Sequence, residues 1–400
     1  MKNFIFISPH FPDSYWKFCL ALKNRGFNVL GIGDAPYFEI PDQCKYALTE
    51  YYCCSNMENY ENERRAVQYF KEKYGDIDFL ESNNEFWLET DARLREEFNI
   101  KSGANLEEVK YFKHKSLQKK IFEKAGIKSA RYTLLTTLEA LKEFANKVNY
   151  PIFAKPDNGV GSHGTFKINN DEELVNFYNS WDKVTPYIVE EFIRGQIISY
   201  DGVSNNSGDV LFSTSNVFQT SMQDIVKDNL DDMYYCVPEI DKDFDELGRK
   251  IIKAFNLKTR FFHIEFFKLL EDHPYLGKKG TMVPLETNMR PAGGYTPDLI
   301  NYANSVSAYD IYADSVAYNE NRQVPGDKKY FAIASSRRYN TKYCHSSEEI
   351  IEKYKFNITM SGDYPMALRD DMGDYYFFGR FDTLLEAMEF DKFVRGKVNE

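Results

Sequence analysis

Two short runs restrict the fold of this chain more than any other part of it. Phe262-His263-Ile264-Glu265-Phe266 alternates apolar and polar side chains, and Val283-Pro284-Leu285-Glu286-Thr287-Asn288-Met289-Arg290 does so again. A period of two marks a β-strand with one buried face, because successive side chains point to opposite sides of a sheet. Phe262, Ile264 and Phe266 then share one face, and His263 and Glu265 the other. In the second run Val283 and Leu285 fall on one face, while Glu286, Asn288 and Arg290 fall on the other. Pairing the runs through the loop near residues 272–280 sends both apolar faces into the core. Glu265, Glu286, Asn288 and Arg290 then lie on one surface. Two carboxylates and an amide oxygen suit a hard cation such as magnesium, which takes oxygen ligands and shares them with substrate phosphates. Arg290 adds a charge for an anion brought to that metal. The alternative is a solvated strand face with a surface Glu–Arg pair.

An independent signal lies upstream. The apolar run Ile152-Phe153-Ala154 ends at Lys155, three glycines follow at Gly159, Gly161 and Gly164, and a strand resumes at Thr165–Ile168. Glycines permit positive φ and close backbone approach, and successive N–H groups in such a loop can form an anion nest. Ser162 adds a hydroxyl, and His163 faces either phosphate or solvent. No Gly-Lys-Ser/Thr ends the loop, so it is not a P-loop. A glycine-rich hairpin is the plain alternative, but the lysine at the strand end favours a phosphate cradle.

Between these signals, Tyr187-Ile188-Val189-Glu190-Glu191-Phe192-Ile193 reads as a strand whose two glutamates face opposite sides, either one solvated and one against a base or ribose, or both surface acids of an edge strand. The first hundred residues alternate strand and helix: Lys2–Ser8, Tyr15–Arg25, Phe27–Ile32, Glu61–Lys73, Ile77–Leu80 and Glu85–Glu97. That order implies a parallel sheet flanked by helices. Helical patterns cover Asn105–Ala125, with Leu117 and Ile121 four apart, then Leu138–Val148 and Asp298–Tyr318. The last 75 residues read as a small cap with strands at Tyr330–Ser335 and Tyr375–Phe381 and helices at Ser346–Tyr354 and from Thr383.

Composition narrows the function. Acidic residues outnumber basic ones 61 to 50 for a net charge of −11, which argues against general nucleic-acid binding. No apolar run approaches the ~20 residues that span a bilayer, and Met1–Phe11 lacks a small-residue cleavage site. Six cysteines without CxxC spacing read as reduced thiols in the cytoplasm.

In order, the helix lysine, the lysine with its glycine loop, the Glu-Glu strand, the Glu265 strand and Glu286-x-Asn288-x-Arg290 resemble the ATP-grasp superfamily. Within it the chain looks like the carboxylate–amine ligases related to the carbamoyl phosphate synthase large chain and to bacterial L-amino-acid ligases. The resemblance covers roughly Glu107 to Asn319. It implies an α/β chain (α+β in the ATP-grasp part) with an N-terminal parallel α/β domain at 1–105. An ATP-grasp small lobe with the glycine loop would follow at 106–186, a large lobe with the metal site at 187–325, and a C-terminal cap at 326–400. It further implies ATP and Mg2+, with Mn2+ as an alternative. Lys115 is similar to the first phosphate-binding lysine, with Lys113 as its rival, and Lys155 to the second. Gly159, Gly161, Ser162, His163 and Gly164 resemble the mobile phosphate loop. Glu190 would meet the adenine amino group, and the backbone of Glu191, Phe192 and Ile193 the ring edge. Glu265, Glu286 and Asn288 match the metal ligands, and Arg290 and Lys155 the catalytic cations. The usual ribose-holding glutamate is missing, because Gln196 follows Gly195, so Glu191 or Asp201 would have to serve. The implied activity is a ligase joining a small-molecule carboxylate to an amine through an acyl phosphate. The alternatives are a carbamoyl-phosphate-type enzyme and a nucleotide-binding relative without turnover. No nucleic-acid or membrane partner is implied, and a homodimer is the assembly to test. The stretch from Phe218 to Cys236 is a candidate substrate loop, and Arg337-Arg338 a candidate carboxylate site.

Overall fold

The structure, a computed structural model, describes residues 1–159, 164–219, 225 and 230–398. The N-terminal domain runs β1 (Asn3–Ile7), α1 (Trp16–Asn24), β2 (Asn28–Gly33), α2 (Asp42–Ala47), β3 (Glu50–Cys53), α3 (Tyr60–Tyr74), β4 (Phe79–Glu81) and α4 (Leu88–Glu97). Its sheet has the order β3-β2-β1-β4, and every pair is parallel. All five residues of β1 are buried. Phe4 and Phe6 pack against Phe18 and Leu22 of α1, while Ile5 and Ile7 pack against Val67 and Phe70 of α3. Helices thus cover both faces, which is why these strands read as unbroken apolar runs rather than alternating ones.

Next come α5 (Leu106–Lys113), α6 (Lys115–Lys124), β5 (Tyr132–Leu134), α7 (Leu138–Val148), β6 (Ile152–Pro156), β7 (Phe166–Ile168), α8 (Asp171–Ser180) and β8 (Tyr187–Glu191). The helix expected over Asn105–Ala125 is two helices, broken at His114, which is extended at φ −103° and ψ 111°. The small-lobe sheet has the order β5-β8-β6-β7 and is antiparallel. Leu141, Phe144, Val148 and Phe177 of α7 and α8 cover it. The division expected at residue 187 therefore moves to the far side of β8, since that strand lies inside the small-lobe sheet. Its interior position also buries both Glu190 and Glu191, so neither faces solvent.

The remainder runs β9 (Gly195–Ser204), β10 (Val210–Phe218), β11 (Met233–Cys236), α9 (Lys242–Ala254), β12 (Arg260–Leu269), β13 (Met282–Asn288), α10 (Thr296–Asn304), α11 (Ala308–Tyr318), β14 (Phe331–Arg337), α12 (Ser347–Lys353), β15 (Ile358–Asp363), α13 (Met366–Met372), β16 (Tyr375–Phe381) and α14 (Leu384–Arg395). Asp298–Tyr318 is also split, at Ser305 in the left-handed region (φ 49°). The strands form one antiparallel sheet, β13-β12-β9-β10-β11-β14-β16-β15. Residues 326–400 supply three of those strands, so they extend the large-lobe sheet instead of sitting apart as a cap.

The N-terminal domain is tied firmly to this sheet. Phe18 packs on Tyr309 and Tyr312 at ring-centroid distances of 4.7 and 5.3 Å. Arg260 at the start of β12 pairs with Glu81 of β4 and donates to the Met289 carbonyl. The end of β13 is thereby fixed to both domains.

Candidate active site

The paired strands β12 and β13 form the floor. Glu265 lies in register opposite Glu286, and His263 opposite Asn288. One detail departs from strict alternation. After Glu265↔Glu286 the next pair is Phe266↔Pro284, which leaves Leu285 unmatched as a bulge. The bulge reverses the parity upstream, so Val283 shares the carboxylate side instead of the opposite one. There it packs with Ile193, Phe267 and Leu269.

Two like charges set opposite each other, both partly buried, need positive charge. Burial pushes the Glu286 carboxyl up, partly countered by Lys115, with Glu265 and Glu85 adding to the rise. Burial acts against the Glu265 charge too, but His263, Arg290 and Lys155 hold that carboxyl below the usual range. Among the described residues no group of three or more His, Cys, Asp or Glu side chains gathers as a metal cage. Two carboxylates and one amide oxygen fit magnesium, which binds through one or two carboxylates and leaves positions for phosphate and water.

The lysines come from two elements brought together, α6 and β6. Lys155 ends the buried part of β6, and its Nζ lies 2.6 Å from Glu190 Oε2. Lys115 opens α6, where its Nζ lies 3.2 Å from Glu286 Oε1 and donates to the Gly159 carbonyl at 2.8 Å. Lys113 points elsewhere, to Glu89 of α4 at 3.4 Å. Lys119, four residues after Lys115 and so on the same helix face, lies 2.6 Å from Glu190 Oε1. Sequence reasoning missed Lys119, although its spacing from Lys115 was the available signal. The face that α6 buries carries Lys115, Ser116, Gln118, Lys119 and Phe122. With a lysine on each oxygen, Glu190 is held down to about 2 against the opposing effect of burial.

Asp157, just after Lys155, explains the break at His114. Its Oδ1 accepts from the Ser116 N–H at 2.7 Å, its Oδ2 from the Ser116 hydroxyl at 2.9 Å, and its carbonyl from the Lys115 N–H. It therefore caps α6 from outside and ties that helix to the start of the glycine loop. Gly164 has φ +72°, and a Cβ there would meet the Tyr187 hydroxyl at 3.2 Å. Gly161, Ser162 and His163 lie outside the described residues.

The other expected residues are all engaged. Arg290 makes contacts of 2.8 and 2.7 Å to Glu85, from the loop after β4. Glu191 pairs with Arg131 at 2.5 Å. Ile193 is buried and Phe192 partly exposed. Asp201 is sealed beneath His263, 2.7 Å from its Nδ1, so of the two ribose candidates it has no exposure at all. Arg337 and Arg338 donate to the backbone carbonyls of Val394, His345, Leu230 and Asp370. These contacts tie the end of β14 to α13, to α14 and to the neighbouring loops. The stretch from Phe218 to Cys236 falls partly outside the described residues, and its far end is β11.

Residues 148–298 match the ATP-grasp domain family. D-alanine–D-alanine ligase B of Clostridium perfringens is 32% identical over 87 residues, 21% of this chain and 29% of that protein. Alanine–anticapsin ligase of Bacillus subtilis is 25% identical over 191 residues, 42% of this chain and 39% of that protein. The matches thus span well under half the length of these curated relatives. The solved structure of an L-amino acid ligase from Bacillus licheniformis aligns with a TM-score of 0.71 at 15% identity, over 98% of this chain and 96% of that one. That likeness speaks for the fold. Among the described residues no helix is long and apolar enough to cross a membrane. Lys155, Glu190, Glu265, Glu286, Asn288 and Arg290 all fall within the segment, residues 148–298, that matches the ATP-grasp domain family.

Proposed function

We propose that the protein is an ATP- and magnesium-dependent ligase that activates a carboxylate as an acyl phosphate and couples it to an amine, an amino acid or a related small molecule. What carries the reading is the convergence of Lys115 and Lys155 on the carboxylate pair Glu265 and Glu286, in one buried centre. Lys155 and Lys115 grip phosphate oxygens, and Glu190 holds Lys155 and Lys119 at the required spacing. Glu190 reaches an adenine amino group only by giving up a lysine. The backbone of Glu191 to Ile193 is therefore the better partner for the base, with Ile193, Phe267 and Val283 as an apolar wall.

Glu265, Glu286 and Asn288 would hold magnesium, which when bound neutralises phosphate charge. The substrate carboxylate attacks the γ-phosphorus and ADP departs. The amine then attacks the acyl carbon, phosphate leaves, and the nitrogen loses a proton. Arg290 stabilises the acyl phosphate, with Glu85 setting its orientation. The protein forms no covalent bond, so positioning and charge supply most of the acceleration. Cysteine usage assigns the enzyme to the cytoplasm, and a homodimer is its proposed assembly.

A phosphate-release screen with ATP, magnesium and paired amino acids and small carboxylates tests the reading, with mass analysis of any product. Release that needs both a carboxylate and an amine, with a condensed product, supports it. Release with a carboxylate or bicarbonate alone points to an enzyme that stops at the acyl phosphate. ATP binding without release under every pairing removes the catalytic reading.

A further inference from the structure

We propose that Asp201 and His263 form a positioning relay that fixes the Glu265 carboxylate for the divalent cation. The inference rests on the metal-site reading above and adds to it two residues that do not touch the ion. His263 pairs in register with Asp201 of β9 on one side and with Asn288 of β13 on the other. Its ring is therefore flanked by the strand that carries the anchor and the strand that carries another ligand. Nδ1 lies 2.7 Å from Asp201 Oδ1, and Nε2 lies 3.2 Å from Glu265 Oε1.

The anchor is itself held. Asp201 Oδ2 accepts from Asn216 Nδ2 at 2.9 Å and from the Ser199 hydroxyl. Asp201, Ser199 and Asn216 are fully buried and His263 nearly so. A buried carboxylate with this many donors cannot swing, so the imidazole fixed to it cannot turn without breaking two contacts. The chain Asn216–Asp201–His263–Glu265 crosses three neighbouring strands and ends on one oxygen of a proposed ligand, leaving Oε2 for the cation. Across the hairpin, Lys115 holds the facing Glu286 through its Oε1 in a comparable way. Support of this kind behind a ligand is worth about 10- to 100-fold in metal affinity.

Mn2+ binding to the full-length protein with ADP, followed by electron paramagnetic resonance, tests the relay without relying on turnover. His263→Ala should weaken Mn2+ roughly 10- to 100-fold, and Asp201→Asn by less. His263→Gln, whose amide N–H can replace the Nε2 donor, should recover most of the affinity. ADP binding without metal should be unchanged in all three, which a merely structural role would not predict. Equal Mn2+ affinity in wild type and a folded His263→Ala overturns the relay alone. Should His263→Ala not fold, wild-type affinity in Asp201→Asn overturns it. Absence of Mn2+ binding by the wild type removes the metal site and the relay together.

Discussion

Glu63 in the N-terminal core and Glu190 beside the lysines are both sealed from water, and their surroundings drive them in opposite directions. Glu190 has a lysine on each oxygen and is held down to about 2. Glu63, on α3, is fully buried, and neither of its oxygens has a hydrogen-bond partner among the described residues. Burial, with Asp91 adding like charge, pushes it up to about 8. Burial alone disfavours the ionised form. It takes cations delivered from α6 and β6 to keep a carboxylate charged at depth. Around Glu190 the fold brings lysines; beside Glu63 it brings no cation, and Glu63 keeps its proton at neutral pH.

Removing the cation proposed to meet the nucleotide should do most. Lys155→Ala is expected to lower ATP turnover by about a thousandfold or more, roughly 4 kcal/mol of barrier, while Lys119 remains on Glu190. Near-normal turnover would break the phosphate assignment. Glu190→Gln strands two buried lysines, so urea denaturation should show a loss of roughly 3–5 kcal/mol. A loss under about 1 kcal/mol would mean that the two lysines find other partners.

The pH dependence of stability sharpens the contrast. Glu63 binds a proton in the fold that the unfolded chain gives up near its ordinary pKa of 4.5. Its contribution therefore makes stability fall as pH rises from 4.5 to about 8, by roughly 3 kcal/mol at pH 7. Glu63→Gln should abolish that slope and match wild type near pH 4.5, measured by denaturation across the range. Glu190 has the opposite sign: its contribution is present above pH 4.5 and is lost as pH falls toward 2. The smallest expected effect is on the metal. Glu286→Gln should raise the magnesium concentration for half-maximal turnover roughly tenfold, about 1.4 kcal/mol, and an unchanged magnesium titration would remove Glu286 from the site.

Part of this was legible without coordinates. The alternation in Phe262–Phe266 and the spacing of Glu286, Asn288 and Arg290 are local facts, and β12 and β13 pair as that pattern requires. The unbroken apolar runs of the first domain likewise announce strands buried on both faces. The errors have one origin. Val283 changed sides because Leu285 bulges, and a bulge is set by the register with a partner strand. The helix over 105–125 broke at His114 because its cap, Asp157, arrives from more than forty residues downstream. Lys119 drew no reading from the sequence, because its partner Glu190 lies 71 residues away along the chain.

Period-two patterning, glycine placement and the order of charged residues are written along the chain, since each depends on a residue and its near neighbours. They determined the kind of strands. Which charges face each other is another matter. Glu85 with Arg290, Asp201 with His263, and Lys119 with Glu190 join residues far apart in the chain. Those pairings exist only once packing has excluded water and brought separate elements within about 3 Å, the range over which a hydrogen bond or ion pair acts.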